Sequence, residues 1–268
     1  MTFDIRYLSV NGARLGYQVH SDGSGKPPAI FLHGYSGRST GDIYGTLVER
    51  LAEYFTLYAL DMRGHGASAS EVEGFSMGAV ADDVAAFVCA LGLTGALHIG
   101  HSFGGFTGMY CEVRHPGTFS ALCLLNSASA EGGKDSPPDV GTVFIEGAGD
   151  VDFLTGALSP HFIRGGSSAA HIAAAMLMDR RIHELYFPEW RQLSIMDELR
   201  NIAIPVLAIN GALDNVVPLA TQHVTAMAIP NCKEVVFTTE GHNAPLEAPD
   251  RMAREIVAFW THDVAAGA

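Results

Sequence analysis

The run Ala96-Leu97-His98-Ile99-Gly100-His101-Ser102-Phe103-Gly104-Gly105 decides how the rest of the chain is read. A short apolar segment, ALHI, leads straight into G-x-S-x-G, and an apolar, helix-compatible segment follows up to Arg114. The five-letter pattern alone says little, because glycine and serine are common. Strand before and helix after give it meaning: the serine then sits on a sharp turn, exposed at the carboxyl end of a strand. Glycines two places before and two after Ser102 keep neighbouring backbone from clashing there. Ser102 is therefore the candidate nucleophile.

Working outward, residues 3–10 and 13–19 read as two strands around Asn11-Gly12, a strong hairpin signal. Short apolar runs at 29–32, 56–60, 96–100, 121–125, 204–209 and 234–237 read as strands. Helical spacing appears at 44–54, 77–91, 104–114 and 251–260. Apolar strands alternating with helices predict an α/β fold, with a mostly parallel central sheet and helices on both faces. The hairpin adds an antiparallel edge. From about 127 to 199 the rhythm stops: a Gly/Pro/Ser-rich stretch, EGGKDSPPD, precedes helical patterns such as SSAAHIAAAMLMDRRI. So long an interruption predicts an inserted helical cap at 127–199, between core segments 1–126 and 200–268.

Composition sets bounds. With 268 residues, 48% of them apolar and 17% charged, the chain can bury a large core without disulfides or metal. Its 16 basic and 29 acidic residues give a net charge of −13, which disfavours nucleic acid as a partner. The four cysteines form no CxxC pair and lie in apolar runs, so they read as buried free thiols of a reducing compartment. The N-terminus lacks the basic and apolar regions of a secretory signal, and apolar stretches break well short of the roughly 18 residues needed to span a membrane. The cytoplasm is the expected location, with no membrane partner.

A serine hydroxyl needs a base at neutral pH. Of the 12 histidines, His242 in Glu240-Gly241-His242-Asn243 follows the strand at 234–237 and so lies on the same side of the sheet as Ser102. His33, His65 and His101 neighbour loops and read as loop-shaping; His98 lies inside a strand and reads as packed. His161, His171 and His183 fall in the cap, facing substrate or solvent. The imidazole needs a carboxylate to fix its tautomer. Asp214 fits, one strand earlier and again at a strand end; Asp61, Glu131 and Asp135 are the alternatives. Asp61 reads as structural, next to the guanidinium of Arg63. An oxyanion needs donors. The Phe103 amide, opening a helix, and the Tyr35 amide, in His33-Gly34-Tyr35-Ser36-Gly37, suit that role.

With FLHGYSG at 31–37, DMRGHGAS at 61–68, GHSFGG at 100–105, NGALDNVVP at 210–218 and GHNAPLEAP at 241–249, the chain resembles α/β-hydrolase-fold enzymes over nearly its whole length. The resemblance implies a Ser102–His242–Asp214 triad, an oxyanion hole from the Tyr35 and Phe103 amides, and a variable cap at 127–199. Serine rather than aspartate at the elbow sets it apart from the dehalogenases and epoxide hydrolases of the fold. The expected activity is hydrolysis of a carboxylic ester or lactone through an acyl-enzyme. Carbon–carbon bond hydrolysis or haloperoxidase-like perhydrolysis on the same triad are alternatives, as is a hydrolase-like ligand-binding protein with slow turnover. The pocket is expected to draw on His33, Gly34, Phe162, Met176 and Trp190. No metal or organic cofactor is required, since no HExxH or comparable ligand spacing occurs. The expected partner is a small-molecule ester or lactone; monomer and homodimer both stay open.

Overall fold

The computed structural model describes residues 4–41, 43–134, 140–161 and 168–267. Strands β1 (Arg6–Val10) and β2 (Ala13–His20) form the hairpin. Asn11 (φ 47°) and Gly12 (φ 77°) both take left-handed conformations, which a two-residue type I′ turn requires. The remaining strands are β3 (Pro28–Leu32), β4 (Thr56–Leu60), β5 (Ala96–His101), β6 (Phe119–Leu125), β7 (Val206–Gly211) and β8 (Cys232–Phe237). The helices are α1 (Gly45–Ala52), α2 (Met77–Ala90), α3 (Phe103–Arg114), α4 (Val140–Glu146), α5 (Val151–Leu158), α6 (Ser168–Ala175), α7 (Arg180–Gln192), α8 (Leu219–Met227), α9 (Ala244–Glu247) and α10 (Pro249–Phe259).

The sheet order is β1-β2-β4-β3-β5-β6-β7-β8. β2 pairs antiparallel with β4, and from β4 to β8 every pairing is parallel. Alternation along the central strands splits the core into two layers. Ile30, Leu32, Leu122, Leu124 and Val206 face a layer built with α2, α3 and α7 through Val84, Phe87, Phe106, Met109 and Ile182. Ala29, Phe31, Leu97, Ile99, Cys123 and Ile209 face the opposite layer, with Leu47 and Leu51 of α1 and Met252 and Ile256 of α10. Both faces are thus covered, as a parallel sheet demands.

Between β6 and β7, the described residues of 127–199 contain α4 to α7 and no strand. The sequence pattern passes over α8, whose nine residues, LATQHVTAM, carry only a weak apolar stripe. The cysteine expectation needs correcting. All four are free thiols, and Cys111 and Cys123 are buried, but Cys89 is exposed near the outer end of α2 and Cys232 is half-buried.

The glycines around the elbow are explained by approach rather than by φ. A Cβ on Gly100 would overlap the Gly104 backbone, and one on Gly104 would overlap the Leu32 and His33 carbonyls. A Cβ on Gly108 would strike the His98 ring. Helix α3 is thereby let down onto β5 and the end of β3. Gly104→Ala is expected to destabilise the protein by about 3 kcal/mol or more, because the colliding atoms are backbone and cannot rotate away. Urea melts check this; a loss under about 0.5 kcal/mol would refute the crowding.

Candidate active site

β5 ends at His101, and Ser102 takes φ 51°, ψ −114° before α3 begins. Its carbonyl accepts amide hydrogens from Gly105 (3.0 Å), Phe106 (3.1 Å) and Ala128 (3.0 Å), so the strained turn is tied to the helix and to the chain leaving β6. His242 comes from the loop after β8, and its Nε2 lies 3.0 Å from Ser102 Oγ. Asp214 comes from the loop after β7, with Oδ2 at 2.9 Å from His242 Nδ1. Three strand ends thus deliver a hydroxyl, an imidazole and a carboxylate into one line.

The carboxylate is heavily seated. Asp214 Oδ1 accepts from the Val216 and Val217 amides (2.9 and 2.8 Å). Its Oδ2 accepts from Asn126 Nδ2 (3.0 Å) and Gln222 Nε2 (2.9 Å) as well as facing His242. Burial pushes the Asp214 carboxyl up, but the His242 imidazole and the two amides outweigh it and hold it below the ordinary carboxylate range. An ionised Asp214 only accepts, so His242 Nδ1 carries a proton, and in the neutral imidazole Nε2 is then the acceptor towards Ser102.

The loop after β3 lies against the nucleophile: a Cβ on Gly34 would sit 3.4 Å from Ser102 Cβ. The Gly34 carbonyl accepts from the Gly37 amide (3.0 Å) and from His33 Nδ1–H (2.8 Å). His33 Nε2 accepts from the Met62 amide (3.1 Å), which fixes this tautomer. Because a peptide unit is planar, pinning the Gly34 carbonyl also sets the direction of the Tyr35 N–H.

A family model described as alpha/beta hydrolase family matches residues 29–255. The chain belongs to that family. A bifunctional esterase/perhydrolase of Acinetobacter calcoaceticus is 28% identical over 252 residues, 87% of this chain and 91% of that protein. Among solved structures, the enol-lactonase from Burkholderia xenovorans LB400 superposes with a TM-score of 0.85 at 22% identity, covering 96% of this chain and all (100%) of that one. An N-acyl homoserine lactone degrading enzyme, Est816, superposes with a TM-score of 0.80 at 25% identity, covering 95% of this chain and 100% of that one.

In this α/β hydrolase the other residues named from sequence fall in varied places. Phe103 directly follows Ser102, Tyr35 follows the Gly34 that lies against it, and the two rings meet edge-on with centroids 6.1 Å apart. His33 is fully buried, and both ring nitrogens serve backbone groups; it braces the loop and offers no free edge to a ligand. Trp190 stacks on Tyr186 (5.9 Å) and meets Phe106 edge-on (5.0 Å), packing α7 onto α3. Met176 packs beside Leu154, Leu158 and Ile172, among the helices between β6 and β7. Phe162 lies outside the described residues. Asp61 is buried and structural, but not through Arg63. It accepts from the Ser39, Thr40 and Ala67 amides (2.6, 2.8 and 2.7 Å) and from the Thr40 hydroxyl (2.6 Å). Arg63 instead pairs with buried Asp83 at 2.7 Å. Sequence reading misses Asn126 and Gln222, the amides that hold Asp214, and Tyr44, whose hydroxyl receives the Gly34 amide at 3.1 Å.

Buried imidazoles crowd the region. Burial lowers the pKa of His33, His98, His171 and His183 to about 4 each. An unfolded chain takes up protons at these positions below its ordinary histidine pKa of about 6.5, while the folded chain refuses them until about pH 4. Stability contributed by the four is therefore complete above that upper value and lost as pH falls through the window. The slope is up to about 1.4 kcal/mol per pH unit for each histidine. Urea melts at pH 7.5 and pH 5 are expected to differ by several kcal/mol; equal midpoints would contradict the neutral burial.

Proposed function

We propose that this α/β hydrolase is a serine hydrolase that cleaves a carboxylic ester or lactone through an acyl-enzyme. The observation that carries the proposal is the line Ser102 Oγ, His242 Nε2 at 3.0 Å, and His242 Nδ1 facing Asp214 at 2.9 Å. These are distances at which an imidazole takes a hydroxyl proton while a carboxylate stabilises the resulting cation. Ser102 attacks the carbonyl carbon as its proton passes to His242. The amides of Tyr35 and Phe103 receive the oxyanion. His242 then protonates the leaving alkoxide, and water, deprotonated by His242, releases the acid and restores Ser102. A lactone opens to a hydroxy acid by the same steps.

The relative named esterase/perhydrolase and the structure named as an N-acyl homoserine lactone degrading enzyme support this substrate class. Perhydrolysis is the second reading, favoured by the relative named esterase/perhydrolase. It differs only in hydrogen peroxide replacing water at deacylation. In this proposal 127–199 is the cap, because α7 side chains contact the oxyanion loop: Tyr186 stacks on Tyr35 at 4.1 Å. The protein works in the cytoplasm, in keeping with its four free thiols. Among the described residues no helix is long and apolar enough to cross a membrane.

A fluorophosphonate probe is expected to label Ser102, and Ser102→Ala to lower kcat/KM for p-nitrophenyl esters or lactones at least about 10⁴-fold. Asp214→Asn removes the charge but keeps the shape, and is expected to lower kcat roughly 10³–10⁴-fold. An unlabelled wild type without turnover would leave the slow-turnover binding protein in its place; hydrolysis undiminished in Ser102→Ala would remove Ser102 as the nucleophile.

A further inference from the structure

The residue before the nucleophile carries an imidazole that the proposed reaction does not use. His101 is buried, and its two nitrogens face different loops. Nε2 lies 2.8 Å from the backbone carbonyl of His242, and Nδ1 lies 2.8 Å from the Tyr44 hydroxyl. The directions follow from valence. A carbonyl only accepts, so His101 Nε2 holds the proton and Nδ1 is bare. Tyr44 must then donate to Nδ1, and its oxygen accepts the Gly34 N–H at 3.1 Å. The result is an ordered path: Gly34 N–H to Tyr44 Oη–H, Tyr44 to His101 Nδ1, and His101 Nε2–H to the His242 carbonyl. Each link leaves its neighbour one choice of direction.

The path spans the elbow. At one end is the His33–Gly34 peptide, one unit before the Gly34–Tyr35 peptide whose N–H is the proposed oxyanion donor. At the other is the backbone of the proposed general base. The imidazole in the middle is covalently next to Ser102. Gly34 also packs against the ring: a Cβ there would lie 3.0 Å from His101 Nδ1. Tyr44 is itself held edge-on by Phe31 at 4.8 Å. Burial, with repulsion from His242, lowers the His101 pKa well below the ordinary value, so the neutral form that this path requires is the one present.

We propose that Tyr44 and His101 are positioning residues of the hydrolytic reaction, a neutral relay that sets the oxyanion loop and His242 in register across Ser102. The inference rests on the serine-hydrolase reading. Oxyanion binding and base alignment are demanded most in the transition state, so a loosened relay lowers kcat more than it raises KM.

The test uses the full chain, a p-nitrophenyl ester, active-site titration with a fluorophosphonate, and thermal melts. Tyr44→Phe keeps the ring and removes the relay oxygen. It is expected to lower kcat per titrated site about 10–100-fold with KM within about 2-fold. His101→Leu is expected to lose at least as much, and His101→Gln, which keeps an amide donor for the His242 carbonyl, to recover part of it. Combining Tyr44→Phe with His101→Leu is expected to lose no more than His101→Leu alone, because both break one path. If Tyr44→Phe does not fold, the comparison of His101→Gln with His101→Leu decides. The relay is overturned if Tyr44→Phe, or His101→Leu, keeps kcat per titrated site within about 2-fold of wild type while only the melting temperature falls. It is also overturned if the losses in the double variant multiply, or if Gln rescues nothing. A wild type that neither labels nor turns over removes the hydrolase reading itself, and the relay with it; an active wild type beside an unaffected Tyr44→Phe removes the relay alone.

Discussion

At Ser102 the backbone stands in a conformation that a side chain rarely adopts, φ 51°, ψ −114°, and about 1–3 kcal/mol is the usual cost of holding a residue there. The surroundings leave the turn no alternative. Its carbonyl collects three amides, from Gly105, Phe106 and Ala128, and its amide is bonded to the Leu125 carbonyl at 3.0 Å. Gly100 and Gly104 remove the side chains that would hold α3 away from β5 and from the end of β3. The loop at Gly34 can then lie against Ser102, and the loops after β7 and β8 can reach the same point. Relaxing the turn would move the hydroxyl away from an imidazole that approaches from another strand.

Electrostatically, the site's interior contrasts with the chain as a whole. The protein carries a net charge of −13, yet the buried groups around Ser102 are mostly neutral imidazoles, kept so by desolvation. The charge in the line is Asp214, and it is tolerated because amide donors surround it. Asp61 is also ringed by backbone amides and a hydroxyl in place of a cation, but there burial outweighs the donors and pushes the carboxyl up. Arg63 and Asp83 show the other solution, a paired burial. Directional donors recur where loop shape matters.

Strand and helix positions along the chain were legible because short apolar runs bounded by turn residues alternate with segments of helical spacing, whereas the order of the strands in the sheet leaves no such local mark. Ser102, Asp214 and His242 could be singled out because topology sends every parallel strand's carboxyl end to one side. Asn126, Gln222 and Tyr44 could not, since an amide or phenol that meets its partner from a distant loop leaves no local pattern. Arg63 misled for the opposite reason: it is close to Asp61 in sequence but points to α2. Met176 and Trp190 show what an apolar helix position leaves undecided, because residues that fill a core and residues that line a cavity share one chemistry. Helix α8 was hidden by its short length and weak apolar periodicity, and its Gln222 went with it.

Tyr35 belongs to two bodies at once. Its peptide is anchored to the sheet through the Gly34 carbonyl, His33 and Gly37. Its ring is embedded among Tyr186, Phe187, Phe144 and His183, with the hydroxyl 2.6 Å from His183 Nδ1. Between the anchored amide and the captured ring stand only two single-bond rotations. A push on α7 is therefore absorbed first by those torsions, as by a universal joint, before it can tilt the peptide plane. The aromatic packing of α7 and the hydrogen bonding of the Gly34 carbonyl thus meet in one residue without being rigidly joined.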